Sequence, residues 1–301
     1  VDQRCKELID ELELRRKNGF VAPLNILKSV RITCDSIVLI PIDDNPIYST
    51  YSEKLNSIGL MEPSKKDAYI ESCKEVLLES VIPAYVRLSN YLAQLEETSL
   101  SVVGVWRFPR GDEFYQHCLN WHTGLNLSVD SMYAIAKSEL GQMEESGTKT
   151  EELDLEFNIA YSSPHQFRKA LPTKAYQLGY KLYVMLENEV GYEENRLATA
   201  KLIVDIGIHQ KRWLREQAVQ YLTSNTKVDL EYAQRIVDQS ISNPGMIGSE
   251  KIGQLVLQNL RNENSNLSDD EFRKEITQHG PLQLGTLSRV ISVNKERVVS
   301  R

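Results

Sequence analysis

The chain is poor in the residues from which disulfide scaffolds and metal sites are built. Its 301 residues include only four cysteines and five histidines. The cysteines are Cys5, Cys34, Cys73 and Cys118. They form no CxxC pair and have no regular spacing, unlike a disulfide framework or a cysteine zinc site, so we expect free thiols. Free thiols favour a reducing compartment, and the sequence therefore leans toward a cytoplasmic location.

Long apolar runs and an excess of positive charge are also missing. The longest strongly apolar run, SIVLIPI over residues 36–42, is far too short to cross a bilayer. Residues 1–17 are too charged for a signal peptide. With 35 basic against 42 acidic residues, the net charge of -7 gives no general attraction for nucleic acid or anionic lipid. We therefore expect no nucleic-acid partner and no membrane span.

Helical periodicity dominates the sequence. The stretches with apolar residues at helical spacing are 67–95, 128–147, 176–189, 196–213, 229–242 and 247–261. Pro83 is expected to kink or divide the first of them. Only SIVLIPI and SVVGVW, residues 101–106, look strand-like. The predicted fold class is all-α, predominantly helical with at most minor strand content, in a single domain over residues 1–301.

One region does not fit this pattern. Between Gly147 and Pro172 the sequence changes character and predicts no clear element. We therefore expect a discontinuity or a missing segment within residues 147–172.

Asp205 and His209 lie four residues apart in VDIGIHQKRW, so on a helix they share one face. In a functional interpretation, Asp205 orients the imidazole, and His209 donates a hydrogen bond to an oxyanion or shuttles a proton. In the alternative, they are an ordinary pair that stabilises a helix by about 0.2–0.5 kcal/mol. Spacing alone favours the ordinary pair. His122 also allows two interpretations. It lies on a predicted helix that follows a loop, and this segment either lines a pocket or is an ordinary helix with an acidic first turn.

A hydrolytic zinc site needs three protein ligands and an open position for water. The sequence contains no HExxH motif. His117 and His122 are five residues apart and would point to different faces of a helix. The residues alone therefore predict no bound metal and no cofactor.

Segments in both halves of the chain carry a family resemblance. In the second half they are RLATAKLIVDIGIHQKRWLREQAVQYL (196–222), NPGMIGSEKIGQLVLQNLR (243–261) and DDEFRKEITQHGPLQLGTLSRVI (269–291). In order, they resemble the closing segments of the bacterial family called domain of unknown function 885, whose members look like helical zinc metallopeptidases. Residues 107–143 resemble an earlier segment of that family, and residues 15–27 an upstream one. The resemblance implies helices packed around a central cleft.

Departures from the family pattern concern its metal site. The family's His-Glu-x-x-Pro-Gly-His zinc motif has no counterpart here, although by order it belongs before residues 167–192. Where the family has Glu-Gly-Trp-Ala-Leu-Tyr-Ala-Glu, this chain has Leu178 and Met185 at the two acidic positions. Met246 stands where the family has a glutamine. The zinc ligands that the resemblance would imply are therefore absent from these positions.

Other positions match the family. Asp205, Gly207, His209 and Trp213 correspond to its Asp-x-Gly-Ile-His and the following tryptophan. We therefore predict a divergent metallopeptidase-like protein without a working zinc site, which binds a peptide or small amide ligand in a vestigial cleft. The candidate catalytic residues are His209 and Asp205. The candidate substrate-binding residues are Trp213, Tyr183, Tyr180 and His122.

Two other functions remain open. One is an active zinc-dependent peptidase or amidase whose zinc motif is missing from this sequence, in which case zinc is the cofactor. The other is a structural or interaction protein with no ligand pocket. Ligand binding at His209 needs a concave cleft that contains this residue, whereas a scaffold would bury or flatten that face.

Overall fold

The computed structural model describes residues 1–99, 102–145, 164–187 and 191–299. These ranges consist of α-helices joined by turns, short 3₁₀ segments and a π-helical segment, and they contain no β-strand. The predicted all-α class is confirmed. The chain divides into two compact units, Val1–Ser101 and Val102–Arg301, which are described separately below. The single domain expected from the sequence stays a prediction.

The first unit is built from five helices in its described part. They are α1 (Asp2–Lys17), α2 (Leu24–Leu39), α3 (Pro46–Asn56), α4 (Pro63–Val76) and α5 (Ile82–Thr98). Helices α1, α2 and α5 share a core that includes Cys5, Cys34 and Leu88. All four cysteines are free thiols, as predicted, and Cys5 and Cys34 are buried.

Pro83 divides the long helical stretch, as its sequence position predicts. A π-helical segment, Leu77–Val81, separates α4 from α5, and Pro83 lies in the first turn of α5. Proline has no backbone N–H to donate, and the first turn of a helix is where that loss is tolerated.

The two strand predictions are wrong. Residues 36–39 of the apolar run belong to α2, whose buried side chains Leu27 and Cys34 face the core of the first unit. Within SVVGVW, the described residues 102–104 are irregular and Val105 begins a short 3₁₀ segment. The β-preference of Ile and Val is a weak, context-dependent signal, and here the helix that begins at Leu24 continues through them.

The second unit holds the remaining helices. They are α6 (Gly111–Thr123), α7 (Val129–Glu145), α8 (Pro164–Glu187), α9 (Tyr192–His209), α10 (Arg215–Asn225), α11 (Leu230–Ser242), α12 (Ser249–Glu263), α13 (Asp269–Thr277) and α14 (Leu284–Val299). Helix α9 is central, because nearly every side chain from Leu197 to His209 is buried. Helices α6, α7, α10, α11 and α12 all pack against it.

Helices α8 and α12 cross at very close range. A Cβ added to Gly253 would come within 1.9 Å of the carbonyl oxygen of Ala175. A Cβ added to Gly179 would lie 2.4 Å from the backbone of Gly253. Only glycine on both helices allows this approach, and it explains why α8 keeps a glycine in the middle of its buried face.

Some expectations for residues 147–172 are corrected. Residues 164–172 belong to α8, although the sequence predicted no clear element there. Residues 147–163 lie outside the described ranges, and so does the discontinuity expected among them. Within the described helices, none combines the length and the apolar composition that a bilayer span requires.

Candidate functional site

The last turns of α9 place two polar side chains in the interior. Asp205 and His209 follow each other by one helical turn, and both are completely enclosed. Enclosed polar groups are costly unless hydrogen bonds compensate for lost water. The partners of these two side chains therefore decide what they can do.

The carboxylate of Asp205 accepts three hydrogen bonds from distant parts of the chain. The hydroxyl of Tyr115 on α6 donates to Oδ2 over 2.9 Å, and the hydroxyl of Ser240 on α11 donates to Oδ1 over 2.5 Å. The backbone N–H of Gly245 donates to Oδ2 over 2.9 Å. Burial raises the pKa of Asp205 to about 7, while the three hydrogen bonds oppose that rise.

Both ring nitrogens of His209 are engaged by the backbone. The N–H of Val105 donates to Nδ1 over 3.3 Å, which makes Nδ1 the acceptor and assigns the proton to Nε2. Nε2 then donates to the carbonyl oxygen of Ser240 over 3.0 Å. Burial lowers the pKa of His209 to about 4, so the imidazole is neutral at pH 7. In this arrangement neither nitrogen is left over for a ligand or a proton transfer.

Ser240 and Tyr115 connect the two side chains. Ser240 donates from its hydroxyl to Asp205 and accepts at its carbonyl from His209. The ring of Tyr115 stacks on the imidazole at a centroid distance of 5.2 Å while its hydroxyl binds Asp205. We call Asp205, His209, Tyr115, Ser240 and Gly245 the Asp205 cluster. It joins α6, α9, α11 and the turn after α11 through satisfied hydrogen bonds.

Trp213 lies just beyond this cluster, on the connection from α9 to α10. Its backbone N–H donates to the carbonyl oxygen of Gly207 over 2.8 Å. Arg212 has a φ of 63°, a left-handed conformation that turns the chain back over the end of α9. The indole then rests on Gly207, where an added Cβ would lie 2.5 Å from ring atoms. The fixed end of α9 therefore positions Trp213.

Trp213 forms one wall of a surface hollow of about 360 Å³. Its ring and that of Tyr221 have centroids 5.1 Å apart and are tilted by 50°. The hollow is lined by Trp213, Gln217, Gln220, Tyr221, Ser224 and Asn225. We call it the Trp213 hollow. All six side chains are uncharged, and five of them come from α10.

The other sequence-predicted site residues lie elsewhere in the second unit. His122 is buried on α6, where it bonds to the backbone of Pro244, and burial lowers its pKa to about 4. Tyr183 on α8 is buried against Phe272 and donates to Glu187 over 2.5 Å. Tyr180 stacks on Tyr176 in the same part of the core. The structure does not bring these three side chains together with Trp213, and their binding roles stay predictions.

The roles of Asp205 and His209 in catalysis also stay predictions. The structure brings the two residues together through Ser240 and Tyr115, and both side chains are fully buried. The pairing partners Ser240 and Gly245 were not singled out from sequence. Gly245 stands in the segment NPGMIGSEKIGQLVLQNLR, and nothing in its local pattern links it to Asp205.

The described residues do not fit a zinc ion. Across residues 1–99, 102–145, 164–187 and 191–299, no three His, Cys, Asp or Glu side chains form a group that could hold a metal. Leu178 and Met185, which occupy the acidic positions of the family pattern, are partly buried on α8. An aliphatic side chain cannot bind zinc, and a thioether is a poor zinc ligand.

The fold and the Asp205 cluster thus define an all-α protein in which a polar cluster holds the end of a central helix. The family model described as "Bacterial protein of unknown function (DUF885)" matches residues 1–179 and 177–291. The chain belongs to this family of bacterial proteins, which confirms the resemblance seen in the sequence.

A solved structure described as "the putative lipoprotein from Colwellia psychrerythraea" is similar to the chain. The two share 16% sequence identity with a TM-score of 0.81, over 97% of this chain and 74% of that one. At this identity, the likeness supports the fold alone. None of the curated proteins compared with the chain matches it.

Proposed function

We propose that the protein is a non-catalytic, metallopeptidase-like member of its family that binds a peptide or small amide ligand in the Trp213 hollow. The observation that carries this proposal is the combination of two aromatic walls with amide and hydroxyl side chains around one concavity. Pockets that bind small ligands typically pair apolar walls with a few convergent polar groups.

The lining suits the chemistry of a peptide. The rings of Trp213 and Tyr221 offer apolar surface for a ligand side chain. Gln220 and Ser224 are exposed on the same face of α10. An amide and a hydroxyl each both donate and accept hydrogen bonds, so they complement the N–H and C=O groups of an amide ligand.

In this proposal the Asp205 cluster supports the ligand site and does not carry out chemistry. The cluster fixes the last turns of α9, and Gly207 in those turns carries both the backbone contact and the ring contact of Trp213. Asp205 and His209 are then positioning residues. This assignment agrees with the neutral imidazole, whose two nitrogens already have partners.

Two alternative functions, an active zinc peptidase and a purely structural protein, can be tested on the same purified protein. An active zinc peptidase requires tightly held zinc, whereas a purely structural protein requires that no ligand enters the hollow. The apolar residues Leu178 and Met185, at the family's acidic positions, favour the non-catalytic assignment over the zinc peptidase.

Calorimetric titration with a neutral probe, N-acetyl-phenylalanyl-alaninamide, tests the proposal. We expect saturable binding that weakens about threefold to tenfold in Gln220→Ala, because one hydrogen bond to the ligand is lost. The matched control is Gln258→Ala, an exposed helical glutamine on α12 outside the hollow. Absence of binding to the wild-type protein, or equal weakening in both variants, would contradict the proposal.

A further inference from the structure

Lys137 lies beside the Trp213 hollow, and it forms no ion pair with the residues that the structure describes. The ammonium of Lys137 on α7 donates to the hydroxyl of Tyr221 over 3.3 Å. The same nitrogen lies 5.3 Å from the centroid of the Tyr221 ring, within range of a cation–π interaction. Because Tyr221 lines the hollow, these two contacts hold a positive charge at its edge.

The neighbouring lysine on this surface is already neutralised. Lys211 pairs with Asp130 over 2.6 Å and lies over the ring of Tyr133. Asp130, Tyr133 and Lys137 are spaced three and four residues apart, so they share one face of α7. Within the part of the chain that the structure describes, no carboxylate lies within ion-pair distance of Lys137.

The hollow is lined by six uncharged residues, and the exposed ammonium of Lys137 lies at its edge. Among the described residues, a neutral amide ligand leaves the ammonium of Lys137 without a counter-charge. A ligand that ends in a carboxylate supplies one, and it accepts a hydrogen bond from the ammonium. The phenol of Tyr221 already orients the lysine, which lowers the entropy lost when the ion pair forms.

We propose that the Trp213 hollow recognises the C-terminal end of a peptide, with Lys137 binding its terminal carboxylate. This inference rests on the function proposed above and narrows its ligand to peptides with a free C-terminus. Lys137 is then a specificity-determining residue, because it separates free acids from amides and does not form the hollow itself.

A matched pair of probes tests the inference. N-acetyl-phenylalanyl-alanine, a free acid, is titrated calorimetrically against N-acetyl-phenylalanyl-alaninamide in buffers of low and high salt. We expect the acid to bind about threefold to fivefold more tightly at low salt, as for an exposed ion pair. The preference should shrink at high salt, where such pairs are screened.

Variants of Lys137 give the second readout. Lys137→Met keeps the aliphatic stem and should abolish the preference for the acid over the amide. Lys137→Arg should retain the preference. Lys274→Met, which removes an exposed charge on α13, is the control for the change in net charge and should behave as wild type.

The outcomes separate the two proposals. Equal binding of acid and amide, or a preference that survives Lys137→Met, overturns the role of Lys137 and leaves the hollow as a ligand site. If neither probe binds, both the inference and the proposed function are overturned.

Discussion

The indole ring of Trp213 rests directly on Gly207, six residues earlier, and the backbone N–H of Trp213 donates to the Gly207 carbonyl oxygen over 2.8 Å. This relationship couples a surface residue to the most buried helix of the second unit. It also makes a helix-interior glycine, normally unfavourable, a requirement for the position of the ring.

Gly207→Ala should displace the indole. The new Cβ would lie 2.5 Å from ring atoms, so the ring must move, and we expect the neutral probe to bind at least about threefold more weakly. The control is Gly141→Ala on α7, where nothing lies within 4 Å of an added Cβ. That change should leave binding unaltered and stabilise the fold by up to about 1 kcal/mol, because alanine favours a helix over glycine. Unchanged binding in Gly207→Ala would contradict the positioning of Trp213 by this contact.

Removal of the Ser240 hydroxyl should destabilise the fold. Ser240→Ala leaves the Oδ1 atom of a buried Asp205 without its 2.5 Å donor, and we expect a loss of about 1–3 kcal/mol in the free energy of unfolding. Urea denaturation measures this loss. Ser242→Ala, two residues later and exposed, should change stability by less than about 0.5 kcal/mol. A similar small effect at both positions would show that the Asp205 cluster contributes little.

The cluster also predicts an unusual dependence of stability on pH. Because the pKa of Asp205 in the fold is raised to about 7, its stabilising contribution is complete below its usual pKa. That contribution is lost as the pH rises toward 7. The pKa values of His209 and His122 are lowered to about 4, so their contributions are complete above the usual histidine pKa and are lost toward pH 4. In the wild type, the contributions of Asp205 and of the two histidines to stability change with pH in opposite directions and partly cancel.

Asp205→Asn removes the contribution of the aspartate to the pH dependence of stability and leaves those of the two histidines. Between about pH 4.5 and 6.5, the unfolding free energy of this variant should rise with pH more steeply than that of wild type, by about 1.4 kcal/mol per pH unit. The comparison uses slopes, so it holds even if the variant is less stable overall. Asp270→Asn, an exposed site on α13, is the control and should keep the wild-type slope. Parallel profiles for Asp205→Asn and wild type would contradict the raised pKa.

The crossing of α8 and α12 gives a test of the fold itself. Gly253→Ala would drive a methyl group to within 1.9 Å of the Ala175 carbonyl oxygen, so the helices must separate. We expect a loss of about 1–3 kcal/mol or more in unfolding free energy, as for other overpacked sites. Gly141→Ala again supplies the control. Wild-type stability of Gly253→Ala, measured by thermal unfolding, would rule out this close crossing.

Zinc analysis separates the proposed function from its catalytic alternative. We expect zinc far below one ion per chain in protein purified without chelators, because the described residues offer no group of three ligands. Stoichiometric zinc that survives dialysis would contradict the proposed function and support the alternative, an active zinc-dependent peptidase or amidase.

Much of the fold could be predicted from sequence, because it follows from local rules. Helical spacing of apolar residues indicates most of the helices, and Pro83 marks where one of them divides. The strand-like run at residues 36–39 was misleading because Ile and Val also occur in helices, and here they belong to the last turn of α2. The predicted end of α9 at residue 213 was four residues too late, because the left-handed turn at Arg212 carries no glycine to signal it.

The candidate site was harder to predict, because its partners are distant in sequence. The spacing of Asp205 and His209 indicated a shared helix face, which the structure confirms. It could not indicate that Tyr115 and Ser240 would enclose them, since these contacts span 90 and 35 residues. The family pattern identifies Trp213. The pattern does not identify its neighbours on α10, because their contact with Trp213 depends on how that helix packs.

The central claim, that an amide ligand enters the Trp213 hollow, is tested most directly by nuclear magnetic resonance of the tryptophan indole N–H groups. The chain has three tryptophans, and the signal of each can be assigned with a Trp→Phe variant. On titration with N-acetyl-phenylalanyl-alaninamide, the Trp213 signal should shift saturably while that of the exposed Trp121 stays in place. A Trp213 signal that does not move at saturating probe, or one that moves only together with Trp121, would contradict the claim.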